Sequence, residues 1–253
     1  MPSGLNWRIN FGHPSQVKAK NFLSGRDIHP KLDVIFLEKL VGRCSVIFKR
    51  LNSVVHLDLR HSDIDSFIAK EITEIVTKLS GAGLLQKLNN HGRRSECMTF
   101  NWLRGYATLM FFMPAIEKLF GAKKEDIAFA GKDHDLDIKT FKKSPLADIT
   151  IKEGLRAEIQ AGFQGKNDIK EHKIIEALRQ SKKTGTKTFL LHFDMFNGFA
   201  AVIDISTLGK KKLTYVQRAA MEGKRVFEIP ESWFYWDLTK PMPQKLPRLF
   251  SQK

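Results

Sequence analysis

Apolar residues along the chain change their period near residue 120. Before that point they recur at helical spacing. Ile64, Phe67, Ile68, Ile72, Ile75, Val76 and Leu79 share one face of a helix that Ser62-Asp63 would cap and Gly81 would stop. From Trp102 to Phe120 the pattern is apolar nearly all round, through Leu103, Tyr106, Leu109, Phe111, Phe112, Ile116 and Leu119, which a water-soluble chain tolerates only in a buried helix. The pattern then alternates, with short runs near 126–130, 133–141, 146–151 and 155–161 separated by Gly131, by Lys143-Ser144-Pro145 and by Gly154. A four-stranded antiparallel meander is the expectation.

Further on, Asn167-Asp168 would cap a second helix reaching about Lys183, with Gly185 ending it. Two more strands, 187–195 and 199–205, are joined through Asn197-Gly198, a strong hairpin signal. Helix, strands, helix, strands predicts an α/β (α+β) chain with a mixed sheet flanked by helices.

Charge adds a partner to this picture. The 253 residues carry 42 Lys and Arg against 27 Asp and Glu, a formal +15, which is the signature of a partner bearing many negative charges, nucleic acid first among them. The excess is spread over the whole chain rather than held in a tail. Cys44 and Cys97 are too few for a disulfide framework or a Cys-rich zinc site and suit a reducing, cytoplasmic setting. The first residues lack the order of a signal peptide, and the stretch Tyr106 to Ile116 falls short of the roughly 20 residues that span a bilayer, so membrane and secreted readings are excluded.

The segment with chemistry in it is Leu146-Ala-Asp-Ile-Thr-Ile-Lys-Glu-Gly-Leu-Arg-Ala-Glu-Ile-Gln160. Folded as two strands about the loop Lys152-Glu153-Gly154, it pairs symmetrically about Glu153 and sets Asp148 opposite Glu158. Alternation then gives Asp148, Thr150, Arg156, Glu158 and Gln160 one polar face, and Ile149, Ile151, Leu155, Ala157 and Ile159 the core face. Directly opposed Cβ atoms are about 4.5–5.5 Å apart, and like charges there are unfavourable unless a cation neutralises them. Mg²⁺ fits, because it takes one or two carboxylates, keeps waters, and in phosphodiester hydrolysis acidifies the attacking water and stabilises the charge on the phosphate.

Asp, nine residues, Glu, any residue, Gln, on a hairpin followed by a helix, resembles the metal site of the PD-(D/E)XK nucleases, in the Glu-x-Gln variant of some type II restriction endonucleases. The resemblance covers roughly 102–205 and includes Gly165-Lys166-Asn167-Asp168 and the helix, meander, helix, strand order. It implies a restriction-endonuclease-like core, Asp148 and Glu158 as Mg²⁺ ligands, and Gln160 in the place usually held by Lys, positioning water or phosphate. It further implies sequence-specific hydrolysis of double-stranded DNA by a homodimer. Residues 1–100 would be a mostly helical region for DNA recognition or dimerisation, 101–205 the catalytic core, and 206–253 a basic extension of the same globule. Two departures stand out: Ala147 replaces Pro, and a Gln amide cannot serve as a base.

A rival placement lies in the same chain. Asp126, Asp137 and Lys139 also read as Asp, ten residues, Asp, any residue, Lys, although Lys132-Asp-His-Asp is polar for a central strand. Glu117, near the end of the buried helix, would add a carboxylate. Arg93 and Arg94, in His91-Gly-Arg-Arg-Ser-Glu96, have the chemistry that reads guanine edges. Lys166, Lys182, Lys183 and Lys210-Lys211-Lys212 would neutralise DNA phosphates. His56, Asp58, His61, Asp63 and Asp65 have metal-like composition, but sit where strand-end and helix-cap residues are expected. The cluster Trp233 to Trp236 reads as core rather than as a base-stacking platform. Two other functions fit the sequence: a structure-specific or repair nuclease on the same core, and a non-catalytic DNA-binding protein.

Overall fold

The computed structural model describes residues 8–10, 12–13, 15–25, 27–28, 31–88, 94–129, 148–151, 154–208, 213–218 and 223–243. In chain order the helices before the sheet are α1 (Gln16–Leu23), α2 (Val34–Val54), α3 (Ile64–Ile68), α4 (Ile75–Gly81) and α5 (Ser95–Phe120). Next come β1 (Ile127–Phe129), β2 (Ile149–Ile151), β3 (Leu155–Gly162), β4 (Asp168–Lys170) and α6 (Glu171–Thr184). The chain continues through β5 (Lys187–Asp194), β6 (Phe199–Asp204), α7 (Ile205–Leu208), β7 (Tyr215–Arg218), β8 (Lys224–Glu228) and β9 (Trp236–Asp237). Six strands make one sheet in the order β1-β2-β3-β5-β6-β9, and β4-β8-β7 make a second. Among the described residues of the large sheet only β3 and β5 run parallel, with α6 as their crossover. The chain is thus a mixed sheet flanked by helices.

α5 is the spine that the all-round apolar pattern predicts, with Leu103, Ala107, Leu109, Phe111, Phe112 and Ile116 buried. It lies against one face of the large sheet, where Phe112 stacks on Phe193 at 4.0 Å between ring centroids. On its other side Phe111 meets Phe48 of α2 and Phe67 of α3. One apolar cluster therefore runs from Leu37 to Met242 and crosses residue 100, which falls inside α5. A second cluster fills the opposite sheet face, built from Ile174 and Ala177 of α6, Leu190, Ala201 and Ile203 of the sheet, and Ile205 and Leu208. Both faces are covered, so the central strands are buried on both sides. Burial pushes the Cys44 thiol up to about 12, making it a packing group rather than a nucleophile. No helix among the described residues is long and apolar enough to cross a membrane.

Several elements differ from the sequence expectation. The helix from Asp63 does start there, with the Asp63 carboxylate accepting from the Ser66 N–H at 2.9 Å. It passes through a π-helical turn, Ala69–Glu74, and continues through Gly81; Gly83, at φ +65°, takes the left-handed conformation beyond it. The π turn accompanies a buried contact, in which the Tyr106 hydroxyl donates to Glu71 at 2.7 Å. Within the expected meander the described strands pair antiparallel, β1 directly with β2 and β2 with β3, and β3 then runs parallel to β5. The expected strand 133–141 lies outside the described residues. Asn167-Asp168 does not cap α6, which begins at Glu171. Asp168 lies instead in β4, and its carboxylate is held by Arg218 at 3.2 Å, so a long-range ion pair and strand pairing prevail over the local cap. Gly185 at φ +72° ends α6 as expected, and β5 turns into β6 through 195–198, with Gly198 at φ +80°. Trp236 is buried in the core.

Phe111 bridges α2, α3 and α5 while 1% exposed. Phe111→Ala should cost about 3–5 kcal/mol of unfolding free energy in a urea titration; a loss below about 1 kcal/mol would show that this helical layer is not packed on α5 as described.

Candidate active site

The hairpin β2–β3 carries the paired carboxylates in the register read from the sequence. Ile149 pairs with Ala157, Thr150 with Arg156 and Ile151 with Leu155, and Gly154 turns at φ +71°. Asp148 directly precedes β2, close enough for its charge to act on the Glu158 carboxyl. The Asp148 carboxylate also folds over the strand end and accepts from the Ile159 N–H at 2.7 Å. Ile149, Ile151 and Ala157 point into the α5 core, as alternation requires.

The opposite face is not an open polar surface. α6 crosses over it, leaving Glu158 only 5% exposed. The sequence reading missed the residue that makes this tolerable. Lys173, in the first turn of α6, donates from Nζ to Glu158 Oε2 at 2.8 Å. Gln160 Nε2 reaches toward the other oxygen at 3.5 Å, a long contact at the limit of a hydrogen bond. Burial raises the Glu158 carboxyl from 4.5 to about 7, and the charge of Asp148 adds to this, while Lys173 and Gln160 oppose it. No spacing rule links 158 to 173; the contact arises because β3, α6 and β5 form a crossover unit in which the helix returns over the sheet.

Beside Gln160 a second buried polar group holds the end of β3. His192 pairs in register with Gln160, and its Nε2 lies 2.8 Å from Asn167 Oδ1. Asn167 in turn donates to Asp194 at 2.8 Å, and the Asn197 amide donates to the same carboxylate at 2.7 Å. Burial depresses the His192 imidazole to about 4, so it is neutral at pH 7, and the Asp194 acceptor fixes the Asn167 amide so that His192 Nε2 carries the hydrogen. Gly162 is required here, since a Cβ would collide with Asn167 Oδ1.

The remaining candidates fall elsewhere. Asp126 lies in the turn before β1, where its carboxylate accepts from the Lys123 N–H at 3.1 Å; Asp137 and Lys139 lie outside the described residues. Glu117 is half-buried in the last turns of α5. Arg93 also lies outside the described residues. Arg94 is tied to Glu96 at 3.1 Å and to Asp33 at 3.5 Å, and covers the Phe36 ring, so it braces α5 against the start of α2. Lys166 is exposed in the turn after β3, and Lys182 and Lys183 are exposed in the last turn of α6, where they complement the helix dipole. Lys210, Lys211 and Lys212 lie outside the described residues. In the His56–Asp65 cluster, His61 Nε2 contacts the Phe111 carbonyl at 3.0 Å, Asp63 caps α3 and Asp65 pairs with Lys49.

Among the described residues no group of three or more His, Cys, Asp or Glu gathers to hold a metal ion. A cation at this hairpin would therefore rest on Asp148 and Glu158 alone. Two hard carboxylates, one raising the proton affinity of the other, suit Mg²⁺, which completes its shell with water or phosphate oxygens. Compared with known proteins, the chain matches no family model, no curated sequence and no solved structure.

The raised Glu158 carboxyl has a measurable sign. The folded chain holds this proton to higher pH than the unfolded one, so the stability it contributes is full below about pH 4.5 and lost as pH rises through about 7. Glu158→Gln mimics the protonated form. The stability of the wild-type chain relative to this variant should decline between those two pH values, as read by urea unfolding. A difference that stays flat from pH 4 to 8 would show that Glu158 is not a desolvated carboxyl.

Proposed function

We propose that this protein is a Mg²⁺-dependent, sequence-specific double-stranded DNA endonuclease of the PD-(D/E)XK type, a type II restriction enzyme acting as a homodimer in the cytoplasm. The observation that carries the reading is the β2–β3 hairpin, with Asp148 directly before β2 acting electrostatically on Glu158 of β3, and Gln160 beside Glu158. The order of elements supports it: α5, the antiparallel β1-β2-β3, the crossover α6 and the parallel β5 follow one another in a helix, meander, helix, strand succession, as the resemblance implies. The charge of +15 suits a polyanionic substrate.

Asp148 and Glu158 would hold the metal. Mg²⁺ bound there would supply an acidified water and neutralise charge developing on the scissile phosphate. Gln160, unable to exchange a proton, acts as an orienting amide: its N–H donates and its carbonyl accepts, fixing the direction of an incoming water or phosphate oxygen. The Ile159 N–H pins the Asp148 carboxylate, and the covered core face keeps both strands rigid beneath it.

A second reading has its own observation. Glu158 is already compensated by Lys173, and a buried ion pair of this kind also serves a purely structural role in a DNA-binding protein. Incubation of unmethylated phage or plasmid DNA with the protein, with Mg²⁺ or with EDTA, separates the readings. Discrete Mg²⁺-dependent fragments are expected. Nicking or a smear would indicate a structure-specific nuclease, and a mobility shift without cleavage a binding protein.

At residue level, Asp148→Asn and Glu158→Gln should each abolish cleavage on a gel while DNA binding in Ca²⁺ stays near the wild-type level. Loss of activity in Asp137→Ala and Lys139→Ala, with the first pair still active, would move the site to the rival placement.

A further inference from the structure

Lys173 is in direct contact with one of the paired carboxylates, Glu158, at 2.8 Å, and its chemistry suits a temporary partner. A carboxylate as buried as Glu158 cannot remain ionised without compensation, so the metal-free chain needs a positive charge at this point. Lys173 supplies it with a single ammonium on a flexible four-carbon stem, bonding one oxygen, Oε2. It makes no bidentate fork of the kind an arginine would make. Its side chain keeps 14% of its surface open, against 6% for Glu158, so the lysine reaches solvent more than the carboxylate does. Position adds a further argument. Lys173 sits in the first turn of α6, directly after the exposed His172, at the end of the helix nearest the loop from β3. Gln160, its neighbour across Glu158, carries no charge, so the charge that meets Glu158 Oε2 comes from α6.

We propose that Lys173 is an exchangeable counter-ion: it neutralises Glu158 in the metal-free chain, gives up Glu158 to an incoming divalent cation, and then turns its N–H donors to the scissile phosphate. The proposal rests on the nuclease reading for the phosphate and on the Asp148–Glu158 pair for the exchange. No covalent bond changes in the exchange; the divalent cation takes the ionised carboxylate, and a proton held there leaves to solvent. Two cations compete for one carboxylate, and this competition distinguishes the idea from a fixed salt bridge. Removing a competitor strengthens metal binding, even as removing a phosphate donor slows cleavage.

The experiment compares wild-type protein with Lys173→Met, which keeps the stem and loses the charge, and with Lys173→Arg, which keeps the charge in a bidentate fork. Mg²⁺ affinity of the DNA-free protein is read by calorimetry, and single-turnover cleavage at saturating Mg²⁺ by gel. Lys173→Met is expected to bind Mg²⁺ about tenfold more tightly and to cleave about 10²-fold more slowly, the usual scale for a lost transition-state donor. Lys173→Arg is expected to fold normally and bind Mg²⁺ more weakly than wild type. Adding Gln160→Lys to Lys173→Met should restore part of the cleavage rate, which a merely structural role for Lys173 would not allow. If Lys173→Met fails to fold, the Lys173→Arg affinity decides: equal or tighter binding overturns the exchange. Unchanged or weaker Mg²⁺ binding in a folded Lys173→Met also overturns it, leaving a fixed ion pair. Should the wild-type protein cleave DNA while Lys173→Met cleaves equally fast, the phosphate role falls and the nuclease reading stands. If the wild type neither binds Mg²⁺ nor cleaves, the site reading fails, and the exchange with it.

Discussion

A carboxylate held inside a protein constrains everything around it, because an ion taken out of water must find its compensation in the fold. Glu158 is such a group. It lies in the middle of β3, under α6 on one side of the sheet, with the α5 core on the other. Its position fixes three other features of the molecule. Lys173 must reach it from the helix that covers it, Asp148 must stand at the adjacent strand end, and the strand must be anchored so that these groups stay in place. The anchoring is visible on both sides of the site, in the Ile159 N–H that holds Asp148 and in the His192–Asn167–Asp194 chain at the end of β3.

The topology supplies these placements economically. β3 and β5 are parallel neighbours, and a parallel pair needs a crossover long enough to return over the sheet. α6 is that crossover, and its buried face, Ile174 and Ala177, packs on Leu190 and Ala201. Its first turn is thereby delivered above Glu158. The same arrangement explains why the polar face expected of an antiparallel hairpin is covered: the hairpin belongs to a mixed sheet with helices on both sides. Chemically, the outcome is a pair of hard oxygen donors beside an ammonium, in a chain of formal charge +15.

The N-terminal helices play a different part. α2, α3 and the π-helical turn join α5 in one apolar cluster with the sheet, through Phe48, Phe67 and Phe111, so they support the sheet from below rather than stand apart from it. Arg94, whose sequence context suggested base reading, belongs to this bracing, with Glu96 and Asp33 as its partners. Adjacent arginines in a polar segment carry the same letters whether they face a groove or a neighbouring helix. Only the partner decides.

Short-range patterns in the sequence determined a good deal. The all-round apolar run made α5 a buried helix, Asn197-Gly198 marked the β5–β6 turn, Gly185 ended α6, and the symmetry about Glu153 set the register of β2 against β3. Each depends on residues a few positions apart, where backbone geometry and side-chain alternation leave little choice. The parallel pairing of β3 with β5, the removal of Asp168 from a helix cap into β4, and the contact of Lys173 with Glu158 were decided by the tertiary structure. They join groups 15 or more residues apart, and no local period encodes them. They exist because burying the faces of a sheet brings distant segments together, and a buried charge then binds whichever opposite charge that packing delivers.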